Sequence, residues 1–164
     1  MRSTVPLDPT DLKILSHLQK SARCSYVDLG NAVGLSPSPC LVRVRRLEEV
    51  GLIRGYNADV TLEKLGDFVI VFSEITISNH RRPDFLRFEE TVAGFDEIVE
   101  CYNVSGGYDY LVKIVTTSMA AFQRVMNDLL ERNIGIEKFS SRVVLRRPIE
   151  KREYPIRLIA QKPR

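Results

Sequence analysis

The chain is poor in the residues that build metal sites, disulfides and nucleophilic centres. Its 164 residues include 3 Cys, no Trp and 2 His. Cys24, Cys40 and Cys101 are widely spaced, odd in number, and form no C-x-x-C pair. A disulfide framework or zinc finger is therefore not expected, and a reducing cytoplasm is the simplest compartment. A Cys–His nucleophile would need one of these cysteines beside His17 or His80, yet Cys24 and Cys40 fall at packing positions. No P-loop, dinucleotide fingerprint or paired carboxylates appear. The expectation is a protein that is not an enzyme and carries no metal or cofactor. No apolar run approaches the ~20 residues that span a bilayer. The opening MRSTVPLDPTDLK lacks the apolar core and small-residue cleavage site of a secretory signal.

Charge is unevenly spread. Residues 1–66 hold 9 Lys+Arg against 7 Asp+Glu, residues 67–145 hold 8 against 12, and residues 146–164 hold 7 against 2. An acidic middle lies between basic ends, and basic ends suit a polyanion. A basic tail also serves solubility alone, so its role stays open.

The first third reads as three short helices. Asp8 caps the first, Pro9 suits its first position, and Asp11 bonds back as in a capping box. Ser25 starts the second helix and Gly34 stops it. The third begins at "SPSPCLVRVRRLEEVG", with Ser36 as its cap. Pro37 and Pro39 then occupy the first and third helical positions, where backbone N–H groups have no intrahelical acceptor. At 100° per residue Cys40, Val44 and Leu47 share the packing face, with Arg43 near it. Ser38, Val42, Arg45 and, at the edge, Arg46 lie opposite. Two helices joined by a tight Gly-containing turn, the second bearing arginines outward, make a helix-turn-helix that enters the major groove of double-stranded DNA. Ser36, Ser38, Val42, Arg45 and Arg46 are the candidate contacts. The alternative at this point is a structural bundle with a solvated charged face. Residues 52–60 read as strand, turn and returning strand, a wing whose Arg54 would rest on a phosphate.

Residues 68–77 form an apolar, β-branched strand and 84–92 a short helix. Strands over 97–104 and 108–115 flank a Ser-Gly-Gly turn. Ser118 caps a long amphipathic helix with Phe122, Val125, Met126, Leu129 and Leu130 inward, and 136–145 is the last strand. The order β-α-β-β-α-β gives an α+β fold: an N-terminal winged helix-turn-helix over 1–60, a linker over 61–67, and a C-terminal ferredoxin-like βαββαβ domain over 68–164 that ends in the basic tail. Two helices cover one sheet face only, so the other invites a second copy of the chain.

"LSPSPCLVRVRRLEEVGLIRGY" together with "ECYNVSGGYDYLVKI" resembles the Lrp/AsnC family of transcription regulators over essentially the whole chain. The resemblance implies dimers that assemble further, often to octamers, and a small effector, commonly an amino acid. It also implies an effector site at the turn between the second and third strands of the C-terminal domain. Here that turn offers Ser105, Gly106, Gly107, Tyr108, Asp109 and Tyr110, and Ser140 and Ser141 match positions near the ligand in relatives. Paired glycines let backbone N–H groups approach a carboxylate, and Asp109 suits an ammonium group. The same residues equally suit a hairpin with positive φ at Gly106 or Gly107, with Asp109 satisfying the turn. The expected function is a cytoplasmic, sequence-specific, effector-modulated DNA-binding regulator. The rival is an architectural protein held by phosphate contacts, with little sequence preference.

Overall fold

The structure, a computed structural model, describes residues 5–160. In chain order its elements are α1 (Pro9–Leu18), α2 (Tyr26–Val33), α3 (Pro37–Glu49), a single 3-10 turn (Leu62–Lys64), β1 (Val69–Ile77), α4 (Arg82–Val92), β2 (Ile98–Asn103), β3 (Tyr110–Thr116), α5 (Met119–Glu131), β4 (Ile136–Val143) and α6 (Ile156–Ala160). They fall into two compact units. One holds residues up to Asp59 together with those from Ile149 onward, and the other is Val60–Pro148.

In the first unit the helix starts follow from the caps. Asp8 accepts the Asp11 N–H at 2.8 Å, and Asp11 accepts the Asp8 N–H at 3.2 Å. Ser25 caps α2 by accepting the Asp28 N–H at 3.1 Å. α3 begins with two prolines at no cost in hydrogen bonds, because its first i to i−4 bond is from the Cys40 N–H to the Ser36 carbonyl, 3.3 Å. Ser36 is the N-cap residue, but its side chain makes no cap bond. Pro39, at the third position, has no N–H to offer it. Ile14, Leu15, Leu29, Val33, Cys40, Val44 and Leu47 form the core.

The turn between α2 and α3 is closed by Gly30. Its carbonyl accepts the Leu35 N–H at 2.9 Å. A Cβ on Gly30 would lie 2.6 Å from the Leu35 carbonyl oxygen.

Two expectations fail in this unit. Residues 52–60 form no paired strands. The N–H groups of Leu52 and Ile53 bond instead to the Leu47 carbonyl, at 3.0 and 3.1 Å. Ile53 then packs on the helical core. The donors that would begin a ladder thus finish α3. The basic tail, expected to close the sheet domain, belongs to the helical unit over 149–160, because Ile156 packs on that unit's core.

The second unit is a four-stranded antiparallel sheet in the order β2-β3-β1-β4, the ferredoxin-like arrangement. Val71, Ile75, Ile77, Val112 and Ile114 face Phe88 and Val92 of α4 and Phe122, Val125, Met126 and Leu129 of α5. Leu130 is 40% exposed, against expectation. α4 starts at Arg82 rather than 84, since Pro83 suits its first turn. Strand alternation sends Ile70, Phe72, Leu111 and Val115 to the face away from the helices. Register places Glu74, Glu100, Lys113 and Arg142 on that same face, where Lys113 pairs with Glu100 at 2.7 Å and Arg142 with Glu74 at 2.5 Å. No helix among the described residues is long and apolar enough to cross a membrane.

Gly30→Ala tests the helix-turn-helix geometry. Alanine favours a helix by up to about 1 kcal/mol over glycine, whereas overpacking costs about 1–3 kcal/mol, and a backbone oxygen cannot rotate away. Urea unfolding should show a net loss of stability. An unchanged or raised midpoint would contradict so close a turn.

Candidate DNA-reading face and effector site

The outward face of α3 carries Ser38, Val42 and Arg45, all exposed, with Val42 at 66%. Ser36, at its start, is exposed too, and its hydroxyl is not spent on the cap. Arg45 makes no ion pair among the described residues, and Arg54 is exposed on the irregular segment after the helix. A large apolar side chain left in water beside hydroxyls and a free guanidinium is the composition of a base-reading surface.

Arg46 is placed differently. Its guanidinium donates to Asp11 at 3.2 Å and to the Pro6 carbonyl at 2.9 Å. It is turned toward α1, not outward as its angular position suggested. Arg43 joins it, donating to Asp8 at 2.5 Å and to Asp11 at 2.8 Å. Asp11 is 1% exposed. Sequence reading saw in Asp11 only a capping residue and missed this network. The available signal was an acidic pair at the start of α1 facing arginines spaced by three on α3. The Asp11 N–H, and after it Arg43, hold the Asp8 carboxyl below its ordinary range, and Asp8 and Asp11 together raise Arg43.

The turn after β2 is closed by backbone bonds, the Val104 N–H to the Asp109 carbonyl at 2.9 Å and the Asp109 N–H to the Ile75 carbonyl at 3.0 Å. Gly106 has φ of +138°, a conformation that side chains rarely adopt, and Gly107 does not. Ser105, Gly106 and Gly107 are exposed and Tyr108 is half-buried. Asp109 already has partners. Its Oδ2 accepts the Ile77 N–H at 2.9 Å, and its Oδ1 meets His80 Nε2 at 2.9 Å. The His80 ring leans on Phe85, 5.9 Å between centroids. His80 entered the sequence reading only as a possible partner for a cysteine nucleophile, not as part of this turn.

The remaining candidates are not gathered at this turn. Tyr110 is 1% exposed, stacks on Phe88 at 4.3 Å, and donates its hydroxyl to Glu89 at 2.8 Å. Burial first, then the Glu89 bond, hold its phenol well above the ordinary value. It belongs to the core under α4, because alternation turns it away from Asp109. Ser140 and Ser141 lie on β4, which β1 separates from β3. Adjacent strand residues face opposite sides, so the two serines cannot line one site. Ser141 bonds the buried Ser73, 2.8 Å between hydroxyls. Beside the turn, between α4 and β2, runs an open groove of about 310 Å³ lined by Glu89, Val92, Ile98, Cys101, Asn103 and Tyr110 among others. No group of three His, Cys, Asp or Glu that could hold a metal occurs among the described residues.

Comparison with known proteins agrees with both halves. Residues 7–54 match the family described as winged helix-turn-helix DNA-binding, and residues 70–154 match the Lrp/AsnC ligand binding domain. The chain belongs to the Lrp/AsnC family. It is 44% identical over 140 residues to the leucine-responsive regulatory proteins of Escherichia coli K12 and Klebsiella pneumoniae, covering 85% of each chain. Among solved structures it resembles an AsnC family transcriptional regulator from Agrobacterium tumefaciens, with TM-score 0.87, 33% identity, and 93% of this chain and 99% of that one covered. It also resembles a transcriptional regulator from Neisseria meningitidis solved as an L-Met complex, with TM-score 0.86, 32% identity, and coverage of 94% and 99%. As a member of this family the chain is a DNA-binding transcription regulator with a ligand-binding domain, not an enzyme.

The lowered Asp8 carboxyl makes the stability of this helical unit depend on pH in the acid range. A carboxylate depressed in the fold stabilises above its unfolded pKa, and that contribution fades as pH falls through the folded value. Asparagine caps a helix as well as aspartate does, so Asp8→Asn removes the charge and keeps the cap. The variant should lose stability at neutral pH, and in thermal melts that loss should shrink as the pH falls below the ordinary carboxylate range. An equal loss at neutral and at acid pH would mean that charge is not the cause.

Proposed function

We propose that the protein is a sequence-specific transcription regulator whose DNA binding or assembly responds to a small effector, an amino acid. The observation that carries the DNA reading is the division of arginines on α3. Arg43 and Arg46 are consumed by Asp8 and Asp11, and Arg45 is left exposed beside Ser38 and Val42. In this reading Ser36, Ser38, Val42 and Arg45 meet the major groove and its flanking phosphates, and Arg54 meets a phosphate further out. Arg46 acts through Asp11 and sets the angle of the helix. Relatives named as leucine-responsive regulators favour this over an architectural role.

The effector reading rests on the turn after β2 and on the relative described as an L-Met complex. The backbone N–H groups near Gly106 would take the carboxylate of an amino acid and Asp109 its ammonium group, in exchange for His80. The protein would work as a homodimer, assembling further to an octamer, in the cytoplasm. What supports assembly is the helix-free sheet face, where Phe72, Leu111 and Val115 lie among charges already paired with one another. Tyr110 supports the site from beneath. Ser140 would complete it only if supplied by a second copy of the chain.

Arg45→Ala should weaken binding to a duplex selected by the parent protein by about 1–3 kcal/mol, roughly five- to 150-fold, with the melting temperature unchanged. Full affinity in an anisotropy titration would remove Arg45 from the groove. For the effector site the informative change is Asp109→Asn, which keeps an oxygen for the Ile77 N–H. The variant should fold as the parent does and lose the thermal shift that L-leucine or L-methionine produces. A retained shift would place the ligand elsewhere.

A further inference from the structure

The basic C-terminal segment plays no part in the function proposed above, yet it is attached at defined points. One side chain grips Tyr154 by both backbone groups. The Tyr154 N–H donates to Gln19 Oε1 at 2.8 Å, and the Tyr154 carbonyl accepts from Gln19 Nε2 at 3.2 Å. A primary amide offers one acceptor and two donors, so it pairs with an extended backbone much as a neighbouring strand does. Two residues later Ile156 opens α6 and packs against the core of the helical unit. Upstream, Arg152 pairs with Asp59 and with Glu150. The segment therefore touches both the residue that follows the end of α1 and the stretch that follows α3.

The attachment is small. Ile149, Tyr154, Leu158 and Ile159 stay more than two-thirds exposed, at 73%, 74%, 70% and 71%. Among the segment's described residues only Ile156 packs against the core, and both Gln19 bonds are exposed. Contacts of this size open at the low end of a protein's stability range. What they hold is not peripheral. Gln19 caps the C-terminal end of α1, and the N-terminal end of the same helix carries the Asp8 and Asp11 carboxylates that orient α3. Loosening one end of α1 frees the other to shift against Arg43 and Arg46.

We propose that the C-terminal segment is a strap that sets the rigidity of the DNA-reading unit, and through it the affinity for DNA. Its basic residues keep the strap soluble while its apolar side chains are exposed. The reader is thus assembled from both ends of the chain, and a fragment ending near residue 60 lacks part of it.

The test uses the full chain with Gln19→Ala or Ile156→Asp, and a chain ending at Pro148. Hydrogen exchange across α1 should accelerate by roughly tenfold in each, while β1 and β3 keep their protection. Affinity for a duplex selected by the parent should fall by about three- to tenfold. Unchanged protection of α1 in both point variants overturns the strap. Faster exchange with undiminished DNA affinity overturns its control of binding. If the shortened chain does not fold, the two point variants decide.

Discussion

A buried carboxylate keeps the DNA-reading unit in register. Asp11 is 1% exposed, and it receives the Asp8 N–H, Arg43 and Arg46. A charge so deep is tolerable only when fully paired, and removing a partner is costly. Both arginines come from α3, one turn apart. The rotation of α3 about its own axis is therefore set twice, by Cys40, Val44 and Leu47 pressed inward and by two guanidinium groups reaching back to α1. Only one rotation satisfies both, and it turns Ser38, Val42 and Arg45 outward. The composition of the exposed face thus follows from what the buried side demands.

The sheet unit repeats the device with weaker bonds. Asp109 spends one oxygen on the Ile77 N–H and offers the other to His80. It ties the hairpin after β2 to the corner between β1 and α4. Here the carboxylate is 17% exposed on its side chain, and its imidazole partner is 57% exposed. A pair that reaches solvent is worth little and is readily exchanged. The Asp11 network can act as a fixed bearing, and the Asp109 pair as an exchangeable one. The difference is burial and the number of partners, not the chemistry of the acid.

Much of this was legible in the sequence, and the limits have physical reasons. Caps and prolines act within a turn of chain, so Asp8, Ser25, Pro37 and Ser118 could be read in place. The 100° period found the buried face of α3, because burial there depends on the helix alone. The pairing of Arg46 was missed because its partner lies 35 residues away and no local pattern reports it. Gly30 gave no signal, since a close backbone approach comes from the turn that follows it. The strand pairing expected over 52–60 is absent because its first donors close α3, a choice between two satisfactory hydrogen-bond schemes that composition does not decide. Tyr110, Ser140 and Ser141 show a further limit. A motif groups neighbours in sequence, and a strand sends neighbours to opposite faces.

Proline placement constrains how such a regulator changes state. α1, α3 and α4 each carry proline in the first turn, at Pro9, Pro37 with Pro39, and Pro83. Proline fixes φ and removes conformations the chain would otherwise sample. These helix starts do not fray or rewind cheaply. A change of state that rewinds the start of α3 is therefore disfavoured, and movement of whole helices, absorbed in segments free of regular structure, is the less costly route. Among the described residues the longest of those are the stretch after α3, from Gly51 to the 3-10 turn at Leu62, and the stretch between β4 and α6. Both are chain connections between the two units, so a fold with rigid readers leaves its adjustable parts in the connections.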